Sequence, residues 1–484
     1  MRKVSLYIFC FVLIATIGCN KYLEKEPDNR ALLNTPEKIS QLLASAYPQG
    51  NYMSFAESMS DNVNDKGAGG SELTNSDPYF FKDTKSNQQD SPEYYWMACY
   101  RAIASANLAI QSSESAPDPE IYKAQRGEAL VARAYAHFML VNFFSKFYDP
   151  NTSAANPGIP YVTEVEKVVF KQYDRNTVAY VYQMIEKDLL EGLPLIKDEK
   201  LTVPRYHFNR AAANAFAARF YLFKKDYSKV VQYANLALPS TNVVSVLRPW
   251  NTTYRSMTYK ELYAIYAKAT EPANLLLAET QSLWGRNYYS VRYSLDATKQ
   301  QEIFRTPVTG GQWAFVFQLY SVGTNNYLLP KINEYFVRAS VNAEIGFPYV
   351  MVPLFTTEEV LFNRAEAYAY LDNPAAAIAD LNAYASTRIV NYSAFTNNIT
   401  TAKIAAYYST SNVRDGLIQT ILDFKRAEYV QEGMRWFDIL RYKKTVTHTT
   451  IAPAATLTLT ADDLRKVFQI PESAGLSGVA QNPR

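Results

Sequence analysis

Cysteine and histidine are scarce in this chain of 484 residues, three of each. Cys10, Cys19 and Cys99 are too few for a disulfide framework. His137, His207 and His448 never fall within zinc-ligand spacing of one another. Neither sign of charge dominates: 49 Lys and Arg face 46 Asp and Glu. That balance gives no electrostatic ground for a nucleic-acid partner, which needs a concentrated basic face. No GxxxxGK phosphate loop, G-x-S-x-G elbow or Cys–His nucleophile pair occurs. Long apolar runs are missing too. The one candidate, Val4–Ala15, falls short of the roughly 20 residues a membrane-crossing helix needs.

That run has another meaning. It follows the basic start "MRK" and ends at "TIGC", so residues 1–18 read as a signal peptide. Gly18-Cys19 resembles a lipobox, which makes Cys19 the expected lipidation site. An ordinary signal peptide with an unmodified cysteine is the alternative. Residues 19–35 are polar and proline-punctuated, a leader that holds a folded body off a membrane.

The rest of the chain is dominated by helical periodicity. "SPEYYWMACYRAIASANLAIQS" starts with Ser91 as N-cap and Pro92 in the first turn. Trp96 then falls on its apolar face. Three stretches share a small–charged–x–Tyr register: Ala132–Tyr135, Ala218–Tyr221 and Ala365–Tyr368. In the last two a short turn and a second amphipathic helix follow. Small residues let a neighbouring helix approach, and the tyrosine fills the groove between pairs. This is the physics of tetratricopeptide units, each helix pair burying its face on the next. The expected fold is mainly α, a helical-pair scaffold interrupted by a loop-rich insertion with few short strands. The expected divisions are 36–239, an insertion at 240–355, and 356–484.

The insertion holds three of the five tryptophans, with Tyr, Asn and Gly around them. Long loops on a rigid frame are where binding is usually built. Sugar rings stack on aromatic faces while Asn, Asp and Arg fix the hydroxyls. Trp284, Arg286, Asn287, Tyr288 and Tyr289 supply all of these within six residues. Trp313 after Gly310-Gly311 is a second candidate, and Tyr79 after Pro78 a third. Loop core is the alternative for each ring. The turn "SDNVNDKG" gathers oxygens from Asp61, Asn62, Asn64 and Asp65 but lacks the distal glutamate of an EF-hand. No cofactor is expected; a structural Ca²⁺ is the only metal this stretch admits, and a solvated turn is the alternative.

Near the C-terminus, "KRAEYVQEGMRWFDILRYKK" places Glu428 and Glu432 at i and i+4 of an expected helix, with Cβ atoms about 6 Å apart. Retaining glycosidases hold their carboxyls about 5–5.5 Å apart, so distance alone admits catalysis. Direction argues against it. Catalytic carboxylates flank the scissile bond, whereas neighbours on one helix point the same way. Lys425, Arg435, Asp438 and Arg441 add alternating charge at helical spacing, and Gly433 is placed to end the helix. The stretch reads as a brace.

The same stretch resembles the "EG.RWFDLRR" signature of the SusD/RagB family. "WMACYRAIASAN", "GEALVARAYAHFMLVNFF", "EEVLFNRAEAYAYLDNPAAAIADLNAYASTR" and the closing "VFQIPESAGLSGVAQNP" resemble further motifs of that family, in order. The resemblance implies about four tetratricopeptide-like pairs. It also implies an outer-membrane lipoprotein, facing the cell surface, that captures a nutrient, most often an oligosaccharide, for a SusC-like TonB-dependent transporter. A peptide-capturing member, or a surface glycoside hydrolase using Glu428 or Glu432, are the alternatives. The family's motifs belong to its scaffold, so no ligand residue carries over from them.

Overall fold

Capping residues set the helix boundaries. The computed structural model describes residues 33–168, 171–239 and 241–484; the expected signal peptide and Cys19 lie outside them. The helices that carry the frame are α1 (Pro36–Leu43), α2 (Met53–Ser58), α3 (Leu73–Tyr79), α4 (Pro92–Glu114), α5 (Lys123–Phe144), α6 (Val178–Gly192), α7 (Arg210–Lys224), α8 (Tyr227–Ala237), α9 (Thr357–Tyr370), α10 (Pro374–Ala385), α11 (Val413–Glu428) and α12 (Arg435–Arg441). Ser91 caps α4 as expected, its Oγ accepting the Tyr94 N–H at 3.1 Å. The turns after α7 and α9 follow one plan. Lys225 and Asp372 take left-handed φ of 64° and 55°. Asp226 and Asn373 then cap the next helix through their side-chain oxygens.

These helices stack in pairs. α4 packs on α5, α5 on α6, α7 on α8, and α9 on α10. α8 also packs on α9, while α9 and α10 pack on α11. The protein is mainly helical, as the periodicity predicts. The shared register has a physical role that the sequence did not reveal. Its charged member is buried in all three copies and ties one helix to another. Arg133 forks onto Asp188 of α6 at 2.7 and 2.8 Å. Arg219 forks onto Glu359 of α9, both bonds 2.5 Å. Glu366 receives Arg441 of α12 and the Tyr442 hydroxyl, the latter at 2.6 Å. Tyr135 and Tyr221 fill grooves as expected; Tyr368 stays partly exposed.

The strands are β1 (Asn64–Asp65), β2 (Asn274–Gln281), β3 (Tyr293–Ser294), β4 (Tyr320–Ser321), β5 (Tyr327–Leu328), β6 (Glu334–Arg338), β7 (Gly346–Thr356), β8 (Val446–Ile451) and β9 (Ala454–Leu459). β2, β7 and β6 form an antiparallel sheet in that order, β1 pairs with β3, β4 with β5, and β8 with β9. β7 runs straight into α9, and the sheet rests on α7. One apolar core extends from Ile39 to Val479 and takes in Trp250, Leu276, Trp284 and Trp313 of the insertion. The insertion is therefore built into the frame. Among the described residues no helix is long and apolar enough to cross a membrane.

The C-terminal brace departs from the expected helix. α11 ends at Glu428, so Glu432 lies in the following turn and the i, i+4 geometry is lost. The cause is Glu57 of α2. Its carboxylate accepts the Gln431 N–H at 2.8 Å and the Gly433 N–H at 3.0 Å, drawing both amides out of helical register. Gln431 and Gly433 accordingly take φ of 71° and 73°. The charges pair over long range rather than along a ladder. Lys425 reaches Asp438 at 2.5 Å and Arg435 reaches Asp61 at 2.8 Å. Only Asp438–Arg441 keeps helical spacing, at 3.3 Å.

Candidate functional site

Four of the seven aromatic-loop candidates lie inside the protein. Trp284 opens a short helix, Trp284–Asn287, and is 2% exposed; its Nε1–H donates to the Gln431 carbonyl at 3.0 Å. The hydroxyl of buried Tyr288 lies 2.5 Å from that of Tyr263 and donates to the Leu329 carbonyl at 3.0 Å. Trp313 is buried against Phe315 and Phe424, with Nε1–H on the Arg305 carbonyl at 3.1 Å. Tyr79 lies between Tyr293 and His448, each ring centroid 4.2 Å away, and its hydroxyl donates to the Thr449 carbonyl at 2.6 Å. The expectation that these four rings offer stacking faces is corrected. Their apolar bodies gain by burial, and main-chain carbonyls satisfy their polar ends.

Buried Asp90 anchors the Trp284 segment. It accepts the Leu283 N–H at 2.7 Å and the Ser282 hydroxyl at 2.5 Å. Burial pushes the Asp90 carboxyl up to about 7. Arg286, Asn287 and Tyr289 from the same segment do reach the surface. Arg286 forks onto Glu334 of β6, one bond measuring 2.8 Å.

Around Tyr289 the fold assembles a tyrosine face. The helix Tyr259–Tyr266 is started by a capping box between Thr258 and Glu261. Its Tyr259 and Tyr263 sit one turn apart with ring centroids at 6.0 Å. Tyr320 of β4 lies 5.8 Å from Tyr259, and Tyr289 lies 5.3 Å from Tyr288, to which Tyr263 bonds. Tyr259, Tyr263, Tyr289 and Tyr320 are all at least partly exposed. Lys66 joins three loops here, donating to the Tyr289 carbonyl at 2.8 Å and to Asn326 Oδ1 in the β4–β5 turn. The Lys66–Gly70 loop is laid against Ser290–Arg292 so closely that a Cβ on Gly69 would sit 2.6 Å from the Ser290 carbonyl. Only glycine fits there, and its φ is 125°. Sequence reasoning missed Tyr259, Tyr263, Tyr320, Asn326 and Lys66. The i, i+4 spacing of Tyr259 and Tyr263 on a polar helix was the available signal.

Another concavity lies away from this face. A cleft of about 500 Å³ opens between residues 81–93 and 465–484. Its phenylalanines, Phe81 and Phe468, are buried, and its arginines are taken by Asp83 and Asp463. It offers no open ring face, so the tyrosine surface is the better platform for stacking.

The two late glutamates face no solvent. Glu428 is fully buried and receives Arg388 at 2.8 and 3.1 Å and the Tyr384 hydroxyl at 2.8 Å. Burial works to raise its carboxyl, but Arg388 prevails and holds it below the ordinary range. Glu432 receives Lys331 at 2.8 Å and the Tyr266 hydroxyl at 3.0 Å. The oxygens of the Asp/Asn turn diverge as well. Asp61 holds Arg435, Asn62 receives Arg426, Asn64 donates to Asp296, and Asp65 holds Arg292.

Comparison with known proteins places this architecture. Residues 21–222 match a SusD-like family described as starch-binding and associating with the outer membrane, and residues 350–468 match the SusD family. The chain belongs to the SusD/RagB family. A SusD-like protein P38 of Formosa agariphila is 23% identical, over 92% of this chain and 93% of the relative. Among solved structures, a SusD superfamily protein of Bacteroides thetaiotaomicron superposes with TM-score 0.68 at 18% identity, covering 93% of this chain and all of that one. A SusD-like carbohydrate-binding protein of Bacteroides vulgatus gives 0.64 at 16% identity, over 92% and 96% of the two chains. A laminarin-binding SusD-like protein gives 0.61 at 16%, over 92% and 98%. At these identities the structural likeness establishes the SusD fold.

Proposed function

We propose that this SusD-like protein is a non-catalytic nutrient-binding lipoprotein of the outer membrane, anchored through Cys19 and facing the cell surface. It captures an oligosaccharide on the tyrosine face and passes it to a SusC-like TonB-dependent transporter. The observation that carries this reading is the grouping of Tyr259, Tyr263, Tyr289 and Tyr320 with Asn326 and Lys66 on one surface. Partly exposed rings supply apolar stacking area, and an amide and an ammonium beside them supply hydrogen bonds to hydroxyls. Similarity to carbohydrate-binding and laminarin-binding SusD-like proteins supports a glycan over a peptide. The sealing of Glu428 and Glu432 by Arg388 and Lys331 supports a holding role over a cutting one.

Isothermal titration of the folded protein against a panel of neutral and acidic oligosaccharides tests the reading. Binding to at least one glycan is expected, with a loss of about 10-fold on Tyr263→Ala or Tyr289→Ala, equivalent to about 1.4 kcal/mol. Binding of peptides but of no glycan would transfer the protein to the peptide-capturing alternative. Co-purification with a barrel transporter from detergent-solubilised outer membrane tests the delivery step.

A further inference from the structure

Two arginines near the tyrosine face carry matched charges. Arg286 is forked onto Glu334, and Arg292 onto Asp65 at 2.7 and 2.8 Å. Lys66 stands apart. Its ammonium touches two neutral oxygens, the Tyr289 carbonyl and Asn326 Oδ1, and no carboxylate lies within ion-pair distance among the described residues. The carboxylate whose field it feels is Asp296, and that group is already engaged. It receives Asn64 Nδ2 at 3.1 and 3.2 Å and the Lys299 N–H at 2.7 Å. Lys66 is also partly withdrawn from water, and burial pulls its ammonium down to about 8 against the pull of Asp296.

A half-buried charge held only by neutral oxygens has lost hydration without gaining a counter-ion. It has three N–H donors, and two are spoken for. A ligand anion reaching the third would supply the missing counter-charge in a place already shielded from solvent. A neutral hydroxyl would accept a hydrogen bond but bring no charge to offset the ammonium, and that Coulomb attraction grows where water is partly excluded.

We propose that the tyrosine face selects acidic glycans, those bearing uronate carboxylates or sulfate esters, and that Lys66 is the residue that makes the selection. This rests on the tyrosine face being the glycan site. The aromatic rings would hold sugar units of either kind, while Lys66 reads the acidic group.

Titration calorimetry with a hexauronate and with a neutral hexaglucoside separates the two claims. The wild-type protein is expected to bind the hexauronate about 10- to 100-fold more tightly, the span of one charge-assisted hydrogen bond. Lys66→Met should remove that preference, lowering affinity for the hexauronate about 10- to 100-fold more than affinity for the neutral probe. Lys66→Arg is the control for folding and for charge. Wild-type affinity for the hexauronate should fall as pH rises above about 8, by up to tenfold per pH unit, and level off once the preference for the acidic probe is gone. The arginine variant should keep its affinity through that range, because a guanidinium does not deprotonate there. Neutral binding that is lost on Tyr263→Ala, with no preference for the acidic probe, overturns the Lys66 proposal and leaves the site standing. Hexauronate binding that is unchanged in Lys66→Met also overturns it. Binding of neither probe, nor of any other glycan, by wild-type protein with an intact thermal transition overturns both.

Discussion

Glu57 holds the main chain of Gly433: its Oε2 accepts the Gly433 N–H at 3.0 Å across 376 residues of sequence. Its other oxygen accepts the Gln431 N–H and the Asn62 amide. One buried carboxylate thus ends α11 and turns the chain into α12. Burial raises this carboxyl from 4.5 to about 6, with the three hydrogen bonds opposing. Between those values the folded state binds more protons than the unfolded state. The contribution to stability is therefore full below about pH 4.5 and declines as pH rises through 6. Glu57→Gln should remove that slope. A carboxamide has one acceptor oxygen where two are used, so one backbone N–H would meet an NH₂ group. A loss within about 1–3 kcal/mol is expected, larger at pH 5 than at pH 8, read by urea titration at the two pH values.

Asp90 makes an instructive contrast. Its carboxyl rises from 3.8 to about 7, again chiefly by burial. The sign is the same, so its contribution declines as pH climbs from about 4 to 7. Its partners are different, though. One is an N–H, of Leu283, and the other a hydroxyl, of Ser282, which can either donate or accept. Asp90→Asn can keep its oxygen on Leu283 and turn its NH₂ toward Ser282. That variant should match wild type near pH 5 and exceed it at pH 8, by on the order of 2 kcal/mol. Thermal melts at the two pH values check it.

What the sequence made legible was local. Ser91 with Pro92, the turns at Lys225–Asp226 and Asp372–Asn373, and the small–charged–x–Tyr register all depend on neighbours within a few residues. The structure keeps each of them, save that Tyr368 of the third register stays partly exposed. What it hid depends on distant partners. Nothing near Gln431 indicates that Glu57 will capture its amide. The ring of Trp284 looks like a binding platform until the Gln431 carbonyl, 147 residues away, is found to satisfy its indole. The polar handles of Trp313 and Tyr79 end on carbonyls in the same way. An aromatic residue in a polar loop is ambiguous because its polar end can be satisfied by water or by a remote main-chain atom. Tyr259, Tyr263 and Tyr320 are far from Tyr289 in sequence, and only the fold brings them together. The segment around Trp284 was found for the wrong ring: Tyr289, at its end, is the one that reaches the surface.

That distinction separates stability from binding. Trp284→Ala removes a 2% exposed indole and strands the Gln431 carbonyl, so a cost of about 3–5 kcal/mol is expected. Tyr263→Ala trims a partly exposed ring and should cost no more than about 1 kcal/mol, including the lost bond to Tyr288. Denaturant titration should rank the two in that order. Glycan affinity of the folded protein should rank them in reverse, with Tyr263→Ala the weaker binder.

Glu428→Gln decides between brace and catalyst. Glu428 is the last member of a buried chain of alternating charge. Arg248 donates to Glu358 at 2.9 Å, Arg388 donates to Glu358 at 2.9 Å, and Arg388 donates again to Glu428 at 2.8 Å. All four side chains are sealed from solvent. With Glu428 neutral, two guanidinium groups would share one carboxylate in a region where neither can be hydrated. Breaking a buried pair in this way costs about 3–5 kcal/mol. The variant should therefore melt at a markedly lower temperature than wild type, while the protein that remains folded binds glycan as before. The tyrosine face lies on other elements, and Glu428 makes no contact with it. Loss of glycan turnover in a variant whose melting temperature is unchanged is the result that would return Glu428 to a catalytic role.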